Sequence, residues 1–459
     1  MTYDVIVLGC GPAGAGAAYR AARSGRRVLV VERAPAPGGA AGSIDVEGVR
    51  VDFGSHRLHS SIDPAIAGEL RTLLGEDLQK RPRNGRIRLE GRWIAFPLRI
   101  GDLLRHLPPA FAASAARDAL TRRMRKPTDD TFAELLRAGL GPTMCERFYF
   151  PYARKLWGLE PEEISGEQAR RRITAGTPGK LLSRLGPARR EKSFFFYPRR
   201  GFGAISEALA EGARAAGAEL LFRASADRVG LTESSVSVRL STQETVAAAT
   251  LFSTVPVTKL AAMCTPAPPR PVIDGAATLQ FRAMLLVYLV LEQDRYTPYD
   301  AHYLPEPSTP VTRISEPKNY RDGDDPNGTT VLCAEIPCAR ENRLWGASEA
   351  ELGSVAVDAL ERSGLPQPDV RAVVVRRLPQ AYPVYRVGFQ HGLDALYGWL
   401  EGWPRVITFG RQGLFVHDNT HHALAMAWAA VDALTPDGTL DAAAWSAARD
   451  RFAMHVVED

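Results

Sequence analysis

The chain has 459 residues, 57 Lys or Arg against 52 Asp or Glu, a formal net charge of +5, and 45% hydrophobic and 24% charged residues. That length allows two or three packed units around a large core, and the composition excludes a disordered or fibrous chain. So small a charge excess, with no RRM, zinc-finger or helix-turn-helix pattern, argues against nucleic-acid binding.

The first elements are the most informative. Tyr3 to Leu8 is a short apolar strand that breaks into Gly9-Cys10-Gly11-Pro12-Ala13-Gly14. An alanine-rich helix follows from Ala15 to Arg23, then a second apolar strand, Val28 to Val31, ending at Glu32. Gly9 permits the tight turn, Gly11 lets backbone approach a pyrophosphate, and Gly14 lets helix and strand pack closely. The helix N-terminus offers free N–H groups to phosphates. Glu32 is placed to accept from adenosine ribose hydroxyls. The strand, turn, helix, strand and acid together predict a dinucleotide site.

Further along, residues 98–147 read as mostly helical, with Arg105, Arg117, Arg122, Arg123, Arg125 and Lys126 among Leu, Ala and Phe. A basic amphipathic helix can lie on an anionic membrane or form the solvated face of a helical lid; the lid is the preferred reading. Phe194 to Tyr197 reads as a strand leading to a helix over 204–216. Strands are expected at 220–223, 227–229 and 252–256, with a hairpin over 234–240. A second sheet should start at 280–292, a polar turn should occupy 319–328, and a final strand over 406–409 should precede a long helix from about Thr420. Strands alternate with helices at both ends of the chain, so the fold class is α/β with a discontinuous dinucleotide domain.

The five cysteines (Cys10, Cys145, Cys264, Cys333 and Cys338) are odd in number and scattered, which predicts reduced thiols without a disulfide frame. Cys333 and Cys338 lack the spacing and His neighbours of a zinc site. A strand that starts by residue 3 leaves no room for a signal peptide, and no apolar run reaches the roughly 20 residues that span a bilayer. A cytoplasmic protein is expected. No residue pattern speaks to oligomeric state.

Arg33 and Gly38-Gly39 directly follow Glu32, and this Glu-x5-Gly-Gly extension resembles the FAD-binding N-terminus of the amine oxidase and UDP-galactopyranose mutase superfamily. Five further segments extend the resemblance to the UDP-galactopyranose mutase-like branch of the FAD-dependent amine oxidase/protoporphyrinogen oxidase superfamily. They are Asp52-Phe53-Gly54-Ser55-His56-Arg57, Pro151 to Gly158, Arg313 to Tyr320, Ala381 to Tyr385, and Gly410-Arg411-Gln412-Gly413-Leu414. The resemblance implies FAD and a GR2-type Rossmann-like FAD-binding domain from residues 1–60, 194–260 and 400–459. It also implies a helical lid region over 61–193 and a second, α+β substrate domain whose sheet covers 261–399.

The same resemblance assigns roles. Arg172 and Arg313 match two arginines that grip the substrate diphosphate, which suits the planar, permanently charged guanidinium; Tyr382 matches a tyrosine on those phosphates. His56 lines the flavin, as acid or base or through its backbone at N5. Arg411 contacts the ribityl chain or pyrophosphate, and Val229 sets backbone against adenine. His421 begins the last helix, whose dipole favours the charge of reduced flavin. Adjacent His421 and His422 with no evident carboxylate partner predict no metal. Three departures stand out: Ser55 replaces the second glycine of Gly-Gly-His, His417 a phosphate-binding tyrosine, and His421 a ribityl-contacting aspartate. Two chemistries fit: hydride transfer from a small anionic substrate to flavin N5, or attack of reduced flavin N5 on a nucleotide sugar, a redox-neutral mutase reaction. The retained arginines favour the second and the altered residues weaken it; an oxidoreductase is the preferred reading.

Overall fold

The computed structural model describes residues 2–96, 102, 105–172 and 194–457. Its central sheet joins pieces far apart in sequence. Strand Thr2–Leu8 lies between the parallel strands Val28–Glu32 and Thr245–Ser253, and Glu219–Phe222 extends the sheet beyond Val28–Glu32. On the other side Val236–Leu240 and Ala226–Leu231 run antiparallel as the expected hairpin, and Cys264–Thr265 closes that edge. Val406–Thr408 also pairs in parallel with Thr245–Ser253. Val28–Glu32 is buried throughout, as strands of a parallel sheet covered on both faces must be.

Helices Pro12–Arg23, Ala204–Ala215 and Thr420–Asp432 cover one face. The alanine-rich face of Pro12–Arg23 lets Trp428 of the last of these come close, and burying an aromatic side chain of this size is worth about 3 kcal/mol. The strand expected over 252–256 is longer and starts at Thr245. It stops at Ser253 because Pro256, with no N–H to give a ladder, instead precedes helix Val257–Met263.

A second sheet, of seven strands, runs in the spatial order Val370–Val384, Gln280–Leu291, Thr330–Cys338, Arg313–Ser315, Ala301–Tyr303, Gly85–Leu89 and Arg92–Phe96. The last two come from the segment read as a helical lid. Ile87, Leu89 and Ile94 are buried at strand spacing, a period-2 signal that the arginines between them mask. Leu78–Pro82 likewise pairs with Phe194–Pro198 in a small third sheet. The remaining described part of 61–172 is helical: Pro64–Leu74, Pro109–Leu120, Phe132–Leu140, Phe150–Trp157 and Gly166–Arg172. Positions 98–101, 103 and 104 of the expected helical stretch lie outside the described residues. All five cysteines are free and buried. Among the described residues no helix is long and apolar enough to cross a membrane.

Candidate active site

The loop after the first strand has the shape a pyrophosphate cradle requires. Gly9 N donates to Val31 O at 2.9 Å, and Ala15 N donates to Gly11 O at 2.8 Å as the helix begins. A Cβ on Gly14 would sit 1.9 Å from Gly9 O, so no other residue fits there without moving the loop. Gly38 N donates to Cys10 O at 2.9 Å and Gly39 opens a short turn, which brings the Gly-Gly extension onto the cradle. Glu32 accepts from Cys10 N at 2.7 Å and Ala34 N at 2.8 Å, which fixes its carboxylate at the strand tip. Arg33, one residue on, is exposed.

The C-terminal turn closes the other side. A Cβ on Gly410 would approach Ala13 Cβ to 2.9 Å, so this turn packs directly on the first helix's N-terminus. Val229 is buried in Ala226–Leu231, paired with Val238 and Cys264. His421 is the second residue of Thr420–Asp432, with Nε2 3.3 Å from Ser61 Oγ and its ring 5.7 Å from that of His59. An acid at the strand tip, a tight glycine turn and a free helix N-terminus are the donor set that FAD's adenosine and pyrophosphate call for.

Beside this cradle, four distant segments meet. Tyr382, on the long strand Val370–Val384, has the Arg411 guanidinium 4.5 Å and the Arg172 guanidinium 5.6 Å from its ring centroid. Arg172 also lies 5.0 Å from the Trp157 ring. The two guanidinium carbons are thus no more than roughly 10 Å apart, and at an effective dielectric of 20 their repulsion is at least about 1.6 kcal/mol. Neither forms an ion pair among the described residues, and the Nε of each is buried without a hydrogen-bond partner. Burial pushes the Arg411 pKa down, and Arg172 adds to that.

Arg313 behaves differently. Its Nε and Nη2 donate to Glu335 Oε1 and Oε2 at 2.9 and 2.8 Å, a bidentate pair with side chains only 15% and 5% exposed. Glu335 Oε1 also accepts from Ser55 N at 2.7 Å, which ties the His56 loop to the second sheet. Arg313 is near enough to Tyr382 and His56 for their charges to act on one another, and its own charge is already balanced. Glu335 was not singled out from the sequence. Its signal was there: a lone carboxylate in the otherwise apolar strand Thr330–Cys338 demands a cationic partner.

His56 stacks on Phe202, with ring centroids 5.3 Å apart, and its Nδ1 lies 3.1 Å from Gly54 O. A carbonyl only accepts, so Nδ1 carries the proton and Nε2 keeps its lone pair. Burial is the main reason its pKa falls to about 4, and the charges of Arg313 and Arg411 lower it further. His417 is fully buried, edge-on to Trp157 (4.8 Å) and Tyr385 (4.7 Å) and stacked on Tyr382 (6.2 Å). Burial, then Arg172 and Arg411, hold its pKa well below the usual imidazole range, and neither ring nitrogen makes a hydrogen bond of good geometry.

The expectation that no carboxylate accompanies the C-terminal histidines is corrected: Asp418 Oδ2 bonds His455 Nδ1 at 2.9 Å, and Oδ1 lies 3.8 Å from His422 Nδ1. One potential ligand atom from each residue falls within 4.8 Å of the others. The two imidazoles, however, lie 13° from parallel with centroids 4.1 Å apart. His455 Nδ1 is engaged by Asp418, and His422 Nδ1 accepts from Asn419 N at 3.3 Å. Asp418 and His422 are neighbours in sequence, but His455, 37 residues from Asp418, carries no local mark of the cluster.

A dinucleotide cradle running into an arginine and aromatic cluster defines a flavoprotein active-site class. The chain matches the family described as flavin containing amine oxidoreductase over residues 13–410, and it belongs to that family, whose cofactor is FAD. It is 30% identical over 198 residues to AofH of Mycobacterium tuberculosis (strain CDC 1551 / Oshkosh), which is described as a flavin-containing monoamine oxidase. That match covers 39% of this chain and 43% of the relative's length. Among solved structures, reduced UDP-galactopyranose mutase superposes with a TM-score of 0.78 at 20% identity, covering 94% of this chain and 93% of the other. Cyclohexylamine oxidase from Brevibacterium oxydans IH-35A superposes with a TM-score of 0.65 at 19% identity, covering 93% and 99%. These likenesses confirm the α/β fold.

Proposed function

We propose that the protein oxidises a small substrate bearing an acidic group, and that within its family it belongs to the UDP-galactopyranose mutase-like branch. The observation that carries this reading is Arg172: a cation without a carboxylate partner among the described residues, between the rings of Trp157 and Tyr382. Arg411, beside the glycine turn that packs on the first helix, serves the flavin side, and Arg172 serves the substrate. FAD supplies a hydride acceptor at N5 when bound. Arg172 grips the acid in a forked, charge-assisted bond. His417 is neutral near pH 7 and offers one donor and one acceptor to a polar substrate group. Trp157, Tyr382 and Tyr385 exclude water around it. His56, also neutral, keeps Nε2 ready to take the proton from the amine or hydroxyl next to the oxidised carbon. Gly9, Gly11, Gly14, Glu32, Gly38, Gly39, Val229 and Gly410 hold the adenosine and pyrophosphate in this reading, with Arg33 at the edge.

The mutase reading draws support from the gathering of Arg172, Arg313 and Tyr382. It needs a second free cation beside Arg172 on the substrate; with Arg411 on the flavin side that role falls to Arg313, which Glu335 already balances, and this favours oxidation. Anaerobic titration of the purified, oxidised protein with acidic amines, hydroxy acids and nucleotide sugars tests both. Bleaching of the flavin band by one compound supports oxidation. No bleaching by any of them, with isomerisation of a nucleotide sugar after dithionite reduction, overturns oxidation in favour of the mutase.

A further inference from the structure

Residues 105–128 carry six Arg or Lys and a single carboxylate, Asp118. That carboxylate faces inward: it is buried, it accepts from Thr143 N at 2.8 Å, and Arg125 Nη1 lies 4.0 Å away. What faces outward is apolar and basic. Leu120 is 85% exposed and Met124 83%, more than any other large hydrophobic side chain among the described residues. They stand four residues apart, where helix Pro109–Leu120 passes into the turn Arg122–Met124. Arg117, Arg123 and Lys126 are exposed around them, and none forms an ion pair among the described residues.

We propose that this tip docks on an anionic lipid bilayer, with Leu120 and Met124 inserted between headgroups and Arg117, Arg123 and Lys126 on the lipid phosphates. Two arguments favour a bilayer over a protein partner. Side chains this exposed project from the surface rather than line a groove, and a fluid interface takes a projecting apolar side chain without a matching pocket. Arg117, Arg123 and Lys126 give the rim a positive charge, the complement of an acidic leaflet; the exposed carboxylates that follow are Asp129 and Asp130, and Asp130 is paired with Arg170. The tip is also tied to the site. Pro142–Met144, which packs on this helix, leads through Cys145–Tyr149 into Phe150–Trp157, and that helix carries Trp157. The docking tip and the helix that carries Trp157 are thus joined by a short run of helical turns. The inference stands independently of which reaction the flavin performs.

Co-sedimentation of the FAD-loaded full chain with vesicles tests it. Vesicles of phosphatidylcholine with phosphatidylglycerol should bind the protein, less so at high salt, and phosphatidylcholine alone should bind it weakly. L120E/M124E should lower the partition coefficient by about tenfold or more, and R117E/R123E should remove the preference for the acidic lipid. All four positions are exposed, and an unchanged flavin spectrum verifies folding; L120Q/M124Q repeats the test without added charge. Absence of binding to the acidic vesicles, or undiminished binding of L120E/M124E and L120Q/M124Q, overturns the proposal. So does a concentration-dependent oligomer that L120E/M124E dissolves, which would give the tip to a second copy of the chain.

Discussion

Replacing Glu335 with glutamine keeps the shape of the side chain and one acceptor for Ser55 N while it removes the charge facing Arg313. In the native protein the carboxylate takes two charge-assisted bonds from Arg313 at 2.9 and 2.8 Å, with both side chains largely buried. At an effective dielectric of 20, unit charges about 4 Å apart attract by about 4 kcal/mol, and removing one partner of such a buried pair costs about 3–5 kcal/mol. E335Q should therefore lose about 3 kcal/mol or more of stability. Urea unfolding, followed by flavin release and near-ultraviolet circular dichroism, measures it. R313M alone should be similarly damaged. The double variant E335Q/R313M should be less destabilised than the two single losses added together, because no buried charge remains uncompensated. A loss below about 0.5 kcal/mol in E335Q, or strictly additive losses, would refute the claim that Glu335 balances Arg313.

Three other outcomes follow from the same geometry. G14A should emerge without flavin, or with little, because the new Cβ meets Gly9 O at 1.9 Å; the ratio of flavin to protein absorbance reads this directly. R172A should keep its yellow colour yet raise KM for the acidic substrate by about a hundredfold, and R172K should recover only part of that, since an ammonium lacks the fork; an unchanged KM would remove Arg172 from substrate binding. The His56 pKa of about 4 lies below the unfolded value of 6.5. The neutral ring thus contributes stability in full above pH 6.5, and that contribution disappears as pH falls through 4. The slope is worth at most about 3 kcal/mol, and H56Q should flatten the pH dependence of unfolding across that window.

How much of this was readable beforehand depended on whether a signal was local. The cradle is one continuous stretch, and each of its residues answers to its neighbours: Gly14 to Gly9, Glu32 to Cys10 and Ala34, Gly38 to Cys10. The gathering of Arg172, Arg313, Tyr382 and Arg411 came from motif resemblance, since no periodicity links positions so far apart. Glu335, the ring cage around His417 and the Asp418–His455 pair are tertiary choices between segments that carry no mark of each other. Strands Gly85–Leu89 and Arg92–Phe96 are masked for another reason: they lie at one end of the second sheet, and Arg86, Arg88 and Arg92 break up their apolar alternation.

The packing of Gly410 on Ala13 also sets an order of events during synthesis. The first strand, turn and helix precede by hundreds of residues both Thr245–Ser253, which pairs with that strand, and Gly410, which packs on Ala13. Until then the glycine loop has a sheet edge without a partner and no lid on its phosphate side. Capture of the flavin thus waits on both later segments and is a late step of biogenesis.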